Sequence, residues 1–144
     1  LARLIAGTSG AESSARSSSF DEPMTPTNFS IKDASNIGSS SVQAVKVDRS
    51  GIFMNRASKR AHIMTYSVEA QDYTSSEVTR YNPSVLSSGV KVMSVQRQPD
   101  TRIWFVLNDG TAAALTYVAG MVSAILELLH LLLIFRGQRS SDDR

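Results

Sequence analysis

A hydrolytic triad needs a nucleophile beside an identifiable base, and serine is abundant in this 144-residue chain. The available bases are His62 and His130, and no serine stands in a Gly-x-Ser-x-Gly elbow. His62 falls in a strand pattern where hairpin folding sets it opposite Asn55, which predicts a surface or edge residue. Glu127 and His130 are spaced i, i+3, a separation that could ligate a metal on a helix. A second such pair is missing from the chain, so a structural role is expected for both. Paired carboxylates occur at Asp21 with Glu22, Glu69 with Asp72, and Asp142 with Asp143, but none lies on an aromatic-rich sugar platform. Arg56, Lys59 and Arg60 form a small basic cluster at a predicted hairpin tip, and a solvated tip is the expectation. Gly7-Thr8-Ser9-Gly10 lacks the Lys-Ser/Thr ending and the following helix of a phosphate-binding loop, and reads as a turn between strands. These residues compose no catalytic constellation, and neither a cofactor nor a metal is expected.

The elements that would position such side chains are hairpins. In residues 101–118, two runs of β-formers flank Asp109-Gly110, a dipeptide suited to a two-residue turn with positive φ at both centres. Folding there places Trp104 beside Leu115 and Val106 beside Ala113, with Phe105 and Leu107 sharing the other face with Ala114 and Ala112. A second copy precedes it. Residues 52–66 align without a gap with residues 103–117, at an offset of about 51. Phe53 then matches Trp104 and is expected beside Met64, while Tyr66 matches Tyr117. The earlier copy centres on Ser58-Lys59, a poorer turn pair. Hairpins recurring at this period predict a sheet array or propeller, whose copies bury each other's faces.

The remainder frames this pair. Residues 1–10 read as the end of a preceding β unit. Residues 11–41 are rich in Ser, Thr, Asn, Pro and Gly, with Pro23 and Pro26 enforcing extended geometry before them, and predict a long irregular connection. Residues 42–120 hold the two hairpin units, with Val42–Val47 and Val90–Gln96 as further strands. Residues 121–144 hold an apolar run, Met121 to Phe135, and a polar tail. Ser123, Glu127 and His130 fall on one helical face, yet helix and strand remain equal readings of that run. At 15 residues it is shorter than the ~20 needed to cross a bilayer. Net charge is +2 with signs mixed, so no global field would gather nucleic acid or an anionic membrane. Cysteine is absent, which excludes disulfides and thiolate metal sites. A chain that opens on Leu1 and stops in a polar run is expected to be a fragment of a longer polypeptide.

The chain resembles the tail nozzle (tail tubular) proteins of short-tailed, T7-like bacteriophages. The resemblance runs through Gly7-Thr8-Ser9-Gly10-Ala11-Glu12, Pro23-Met24-Thr25-Pro26-Thr27-Asn28, Gly51-Ile52-Phe53-Met54-Asn55-Arg56 and Tyr66-Ser67-Val68-Glu69-Ala70-Gln71-Asp72-Tyr73. It continues through Val95-Gln96-Arg97-Gln98-Pro99-Asp100 and Ile103 to Gly110, and on to Leu115-Thr116-Tyr117. Their order and spacing carry more than any one of them. The chain departs from the family at Ser13-Ser14-Ala15 and in the Leu-rich stretch from Ile125 to Leu133. The resemblance implies a virion structural protein with a β-rich, propeller-like platform and no active site. It also implies a homo-oligomeric ring, six-fold in the family, below portal and adaptor. That ring extends the channel for ejected DNA and docks tail fibres. No membrane anchor is expected of this chain. The residues read as structural are Asp109, Gly110, Trp104, Phe53, Tyr66 and Tyr117. Two rival readings are a β-repeat module binding a host glycan or protein, and a protein touching membrane through 121–135.

Overall fold

A computed structural model of the chain describes residues 3–19 and 21–117. They form three antiparallel sheets, so the all-β class expected from the hairpin pattern holds. The first sheet contains β1 (Arg3–Gly7), β2 (Glu12–Ser17) and β3 (Phe29–Ser35). The second contains β4 (Val45–Val47), β5 (Ser50–Met54), β6 (Ala61–Ser67) and β7 (Asp72–Glu77). The third contains β8 (Val90–Gln96), β9 (Arg102–Leu107) and β10 (Ala112–Thr116). Within each sheet, chain neighbours are sheet neighbours, the pairing that short connections permit in antiparallel sheets.

One hydrophobic core lies between the second and third sheets. Ile52 and Met54 of β5 and Ala61 and Ile63 of β6 face Val90, Met93, Ile103, Phe105 and Leu107 of the third sheet. Leu86, from the connection after β7, closes the side of this layer. Strand β9 alternates as a half-buried strand should: Ile103, Phe105 and Leu107 are buried while Trp104 and Val106 are exposed. Strand β5 breaks alternation, with Ile52, Phe53 and Met54 all buried. Its second face, carrying Gly51 and Phe53, lines a cleft toward the first sheet. A strand covered on both sides reads as a continuous apolar run.

Both predicted hairpins exist, and both differ in register from expectation. In the later one Ala114 stands opposite Trp104, Ala112 opposite Val106 and Leu115 opposite Ile103. The loop therefore spans three residues, Asn108 to Gly110. The Leu107 N–H bonds the Thr111 carbonyl at 2.9 Å and the Gly110 N–H bonds the Leu107 carbonyl at 3.1 Å. Only Gly110 takes positive φ, at +86°, which is a type I turn with a left-handed glycine closing it rather than a two-residue turn. In the earlier hairpin His62, not Met64, stands opposite Phe53, and Gly51 stands opposite Met64. Its turn lies over residues 56–59, held by the Asn55 side-chain oxygen, which accepts from the Lys59 and Arg60 N–H groups at 3.1 Å each.

The loops differ by one residue, and that decides which faces repeat. Ile52 and Met54 match Ile103 and Phe105, and all four are buried in the shared core. Across the turn the phase inverts. Ala61 and Ile63 face the core in the first copy, whereas Ala113 and Leu115, not their matches Ala112 and Ala114, pack against it in the second. A one-residue slip exchanges the two faces of a strand.

Residues 11–41, expected to be an irregular connection, carry β2 and β3. The expectation followed the scarcity of apolar side chains, but this sheet is tied down by polar contacts instead. Further along, Ser39 bridges Asn55 and the Ser40 N–H reaches the Met54 carbonyl at 3.1 Å, so the chain runs beside the end of β5 before it pairs with that strand again in β4. The apolar run at 121–135, with its open choice of helix or strand, lies outside the described residues.

Candidate functional site

The feature best able to receive a partner is a cleft of about 1210 Å³ between the first and second sheets. Strands β1 to β3 turn Arg3, Glu12, Ser14, Arg16 and Lys32 into it, one face of a sheet whose alternation is polar. Strands β5 to β7 supply Phe53, Met64, Tyr66, Asp72 and Tyr73, and the β4–β5 hairpin closes the third side with Lys46, Asp48 and Arg49.

The deep end is built around Glu12, which is only 1% exposed. Its carboxylate accepts hydrogen bonds from the hydroxyls of Ser35 and, at 2.7 Å, Ser39. Ser39 is positioned by close backbone packing: its N–H donates to the Thr8 carbonyl at 2.7 Å, and Gly7 leaves no room for a Cβ against its side chain. A buried carboxylate without such donors would be strongly unfavourable. The Ser35 bond therefore ties β2 to its sheet partner β3, and the Ser39 bond fastens β2 to the segment that enters the second sheet.

Midway along the cleft, Asp72 gathers its neighbours. Lys32 Nζ lies at 3.1 Å and Arg3 at 3.9 Å, the Ser14 hydroxyl donates at 3.3 Å, and the Tyr73 N–H donates at 2.8 Å. Burial pushes the Asp72 pKa up, but the Tyr73 and Lys32 contacts outweigh it and hold the carboxyl below its ordinary 3.8. The Arg3 guanidinium lies 4.8 Å from the Tyr66 ring centre and 5.5 Å from that of Tyr73, with the two rings edge to face at 5.7 Å. An arginine held between rings and a carboxylate is a joint between sheets.

The residues singled out from sequence scatter over the molecule. His62 is buried, 8% exposed, and stacks on Phe53 at 5.5 Å, so the surface or edge position expected for it is corrected. The cause is register: His62 pairs with Phe53 in the middle of the second sheet instead of with Asn55 at its end. Burial pushes its pKa below 6.5 against the opposing pull of Glu77 and Glu12, and its Nδ1 has no hydrogen-bond partner among the described residues. No hydrogen bond joins a serine to a histidine among those residues. Gly7 to Gly10 is the turn of the β1–β2 hairpin, where Thr8 Oγ1 accepts from the Gly10 and Ala11 N–H groups. Arg60 pairs with Glu77 at 2.8 Å, and Arg56 and Lys59 are exposed at their hairpin tip. Asp21 and Glu22 lie exposed between β2 and β3, and Glu69 in the exposed β6–β7 turn. Glu127, His130, Asp142 and Asp143 lie outside the described residues.

Of the six structural residues, Phe53 and Tyr66 line the cleft. Trp104 lies on the outer face of the third sheet, where its indole N–H donates to Gln96 at 2.8 Å. Tyr117 packs against the core from the end of β10, its N–H bonding the Thr101 carbonyl at 2.9 Å. Gly110 supplies the turn's left-handed residue. Asp109 accepts from the Thr111 hydroxyl at 2.6 Å, the Ser88 hydroxyl at 2.7 Å and the Thr111 N–H at 2.9 Å, which hold its carboxyl at about 2. Sequence reasoning missed both ties, Glu12 with its serines and Asp72 with Arg3 and Lys32. The available signal was a lone carboxylate in a serine-rich strand, which pattern alone does not pair with anything.

Among the described residues no three His, Asp or Glu side chains are grouped to hold a metal ion, and no helix is long and apolar enough to cross a membrane. No protein-family model and no curated protein matches the chain.

Proposed function

We propose that this chain is part of a phage tail nozzle. It is a virion structural protein whose copies form a ring that extends the DNA-ejection channel and docks tail fibres. The ordered series of segments resembling nozzle proteins supports this reading, and one structural observation carries it further. The hairpins at 52–66 and 103–117 belong to separate sheets that share one core, so each unit stabilises the other. Sheets stacked face to face in this way are wall material, and the propeller-like platform follows if further copies of the unit continue the stack. The work is mechanical, with no enzymatic step and no cofactor. Portal, adaptor and fibre proteins are its neighbours, DNA passes through without being held, and its location is the virion tail.

The cleft favours a second reading, a β-repeat module that binds a host glycan or protein as a monomer. Native mass spectrometry of the full chain separates the two. A closed oligomer at a fixed multiple of the protomer mass, six by family resemblance, supports the nozzle. A monomer at every concentration, retained by a glycan array, supports the module.

A further inference from the structure

We infer that the cleft between the first and second sheets receives the acidic β2–β3 loop of a neighbouring copy, residues 21–26. This rests on the ring reading above and names the contact that would build the ring. The cleft carries a surplus of cations. Of its carboxylates, Glu12 is committed to Ser35 and Ser39, and Asp72 to Lys32 and Arg3. Arg16, Lys46 and Arg49 line the same cleft, are exposed, and have no carboxylate within 4.0 Å among the described residues. Asp48 is the only acidic group left to face them among the lining residues.

The loop has the opposite character. Asp21 and Glu22 are exposed, no Lys or Arg occurs from Ser17 to Ile31, and neither carboxylate has a cation within 4.0 Å among the described residues. Pro23 and Pro26 fix φ at two positions and the segment folds back on Asn28, whose side chain donates to the Pro23 carbonyl at 3.1 Å and weakly to Glu22 at 3.4 Å, which lowers the entropy lost when it docks. Its base is already shaped: the Thr25 N–H bonds the Asn28 side chain at 2.7 Å, and the Ser18 N–H bonds the Asn28 carbonyl at 2.8 Å. At about 1210 Å³ the cleft exceeds the ~300–1,000 Å³ of ordinary small-molecule sites and has room for a peptide segment. Loop and cleft are different patches, so each copy gives one loop and receives one. Such a head-to-tail contact closes into a ring when its rotation permits.

The test is a charge exchange in the full chain. One variant carries D21K and E22K, and the other carries R16E and R49E. Each alone meets like charges across the contact and is expected to weaken self-association on the order of 100-fold, from roughly tenfold per lost charge pair. Mixing the two restores complementarity in alternating order, so a 1:1 mixture should reassemble to the parent's mass, and added salt should weaken the parent's assembly. Thermal melts confirm that both variants fold. If either variant assembles like the parent, or if the mixture stays monomeric, this docking is wrong while the ring reading stands. A parent chain that is monomeric overturns both.

Discussion

Replacing Ile103 by Ala tests whether the two repeat units share a core. Ile103 is fully buried between β5 and the third sheet, and its removal leaves a cavity walled by sheets that cannot easily close on it. Deletions of this kind cost about 2–5 kcal/mol. Val106→Ala on the same strand points the other way, is 42% exposed, and should cost about 1 kcal/mol or less. With a urea m-value of about 2 kcal/mol/M, a loss near 3 kcal/mol lowers the midpoint by about 1.5 M. The outer-face change should lower it by no more than roughly 0.5 M. Urea titration followed by the emission of Trp104, the single tryptophan, reads both variants from one strand. Equal shifts for the two would refute the face assignment, and with it the claim that residues 52–66 and 103–117 are packed against each other.

Gly110→Val should destabilise the later hairpin by about 1–2 kcal/mol, because an L side chain must adopt the left-handed φ of +86° there. Space is open around that position, so Gly110→Asn should be nearly neutral in thermal melts, and an equal loss for both would point to packing instead. His62, whose buried ring is held below 6.5, makes stability fall as pH drops from about 6.5 toward its lower folded value, because the unfolded chain takes up the proton first. Thermal melts between pH 7.5 and 5 should flatten in His62→Gln, and an unchanged slope would assign the pH dependence elsewhere.

Strand positions were legible where apolar residues alternate. The strand expected at Val90–Gln96 has those bounds, and the buried face of β9 follows from Ile103, Phe105 and Leu107 alone. Turn chemistry set the limit. Asp109-Gly110 fits a two-residue turn, but Asp109 is held at negative φ by its bonds to Thr111 and Ser88, so the loop takes three residues and the following strand inverts. Asn55 acts similarly in the first copy by capping two N–H groups of its loop. The first sheet was hidden for a different reason. Its cleft face carries Arg3, Glu12, Ser14, Arg16 and Lys32, which pattern rules assign to solvent, and only the partners Ser39 and Asp72 make that face part of a site. Those partners come from other elements, beyond the reach of periodicity.

End-on electron microscopy of the purified full chain bears most directly on the claim that these stacked sheets serve as wall. Closed rings with rotational symmetry around an open channel are expected. A field of separate, channel-free particles at concentrations well above those of assembly in a virion would contradict it.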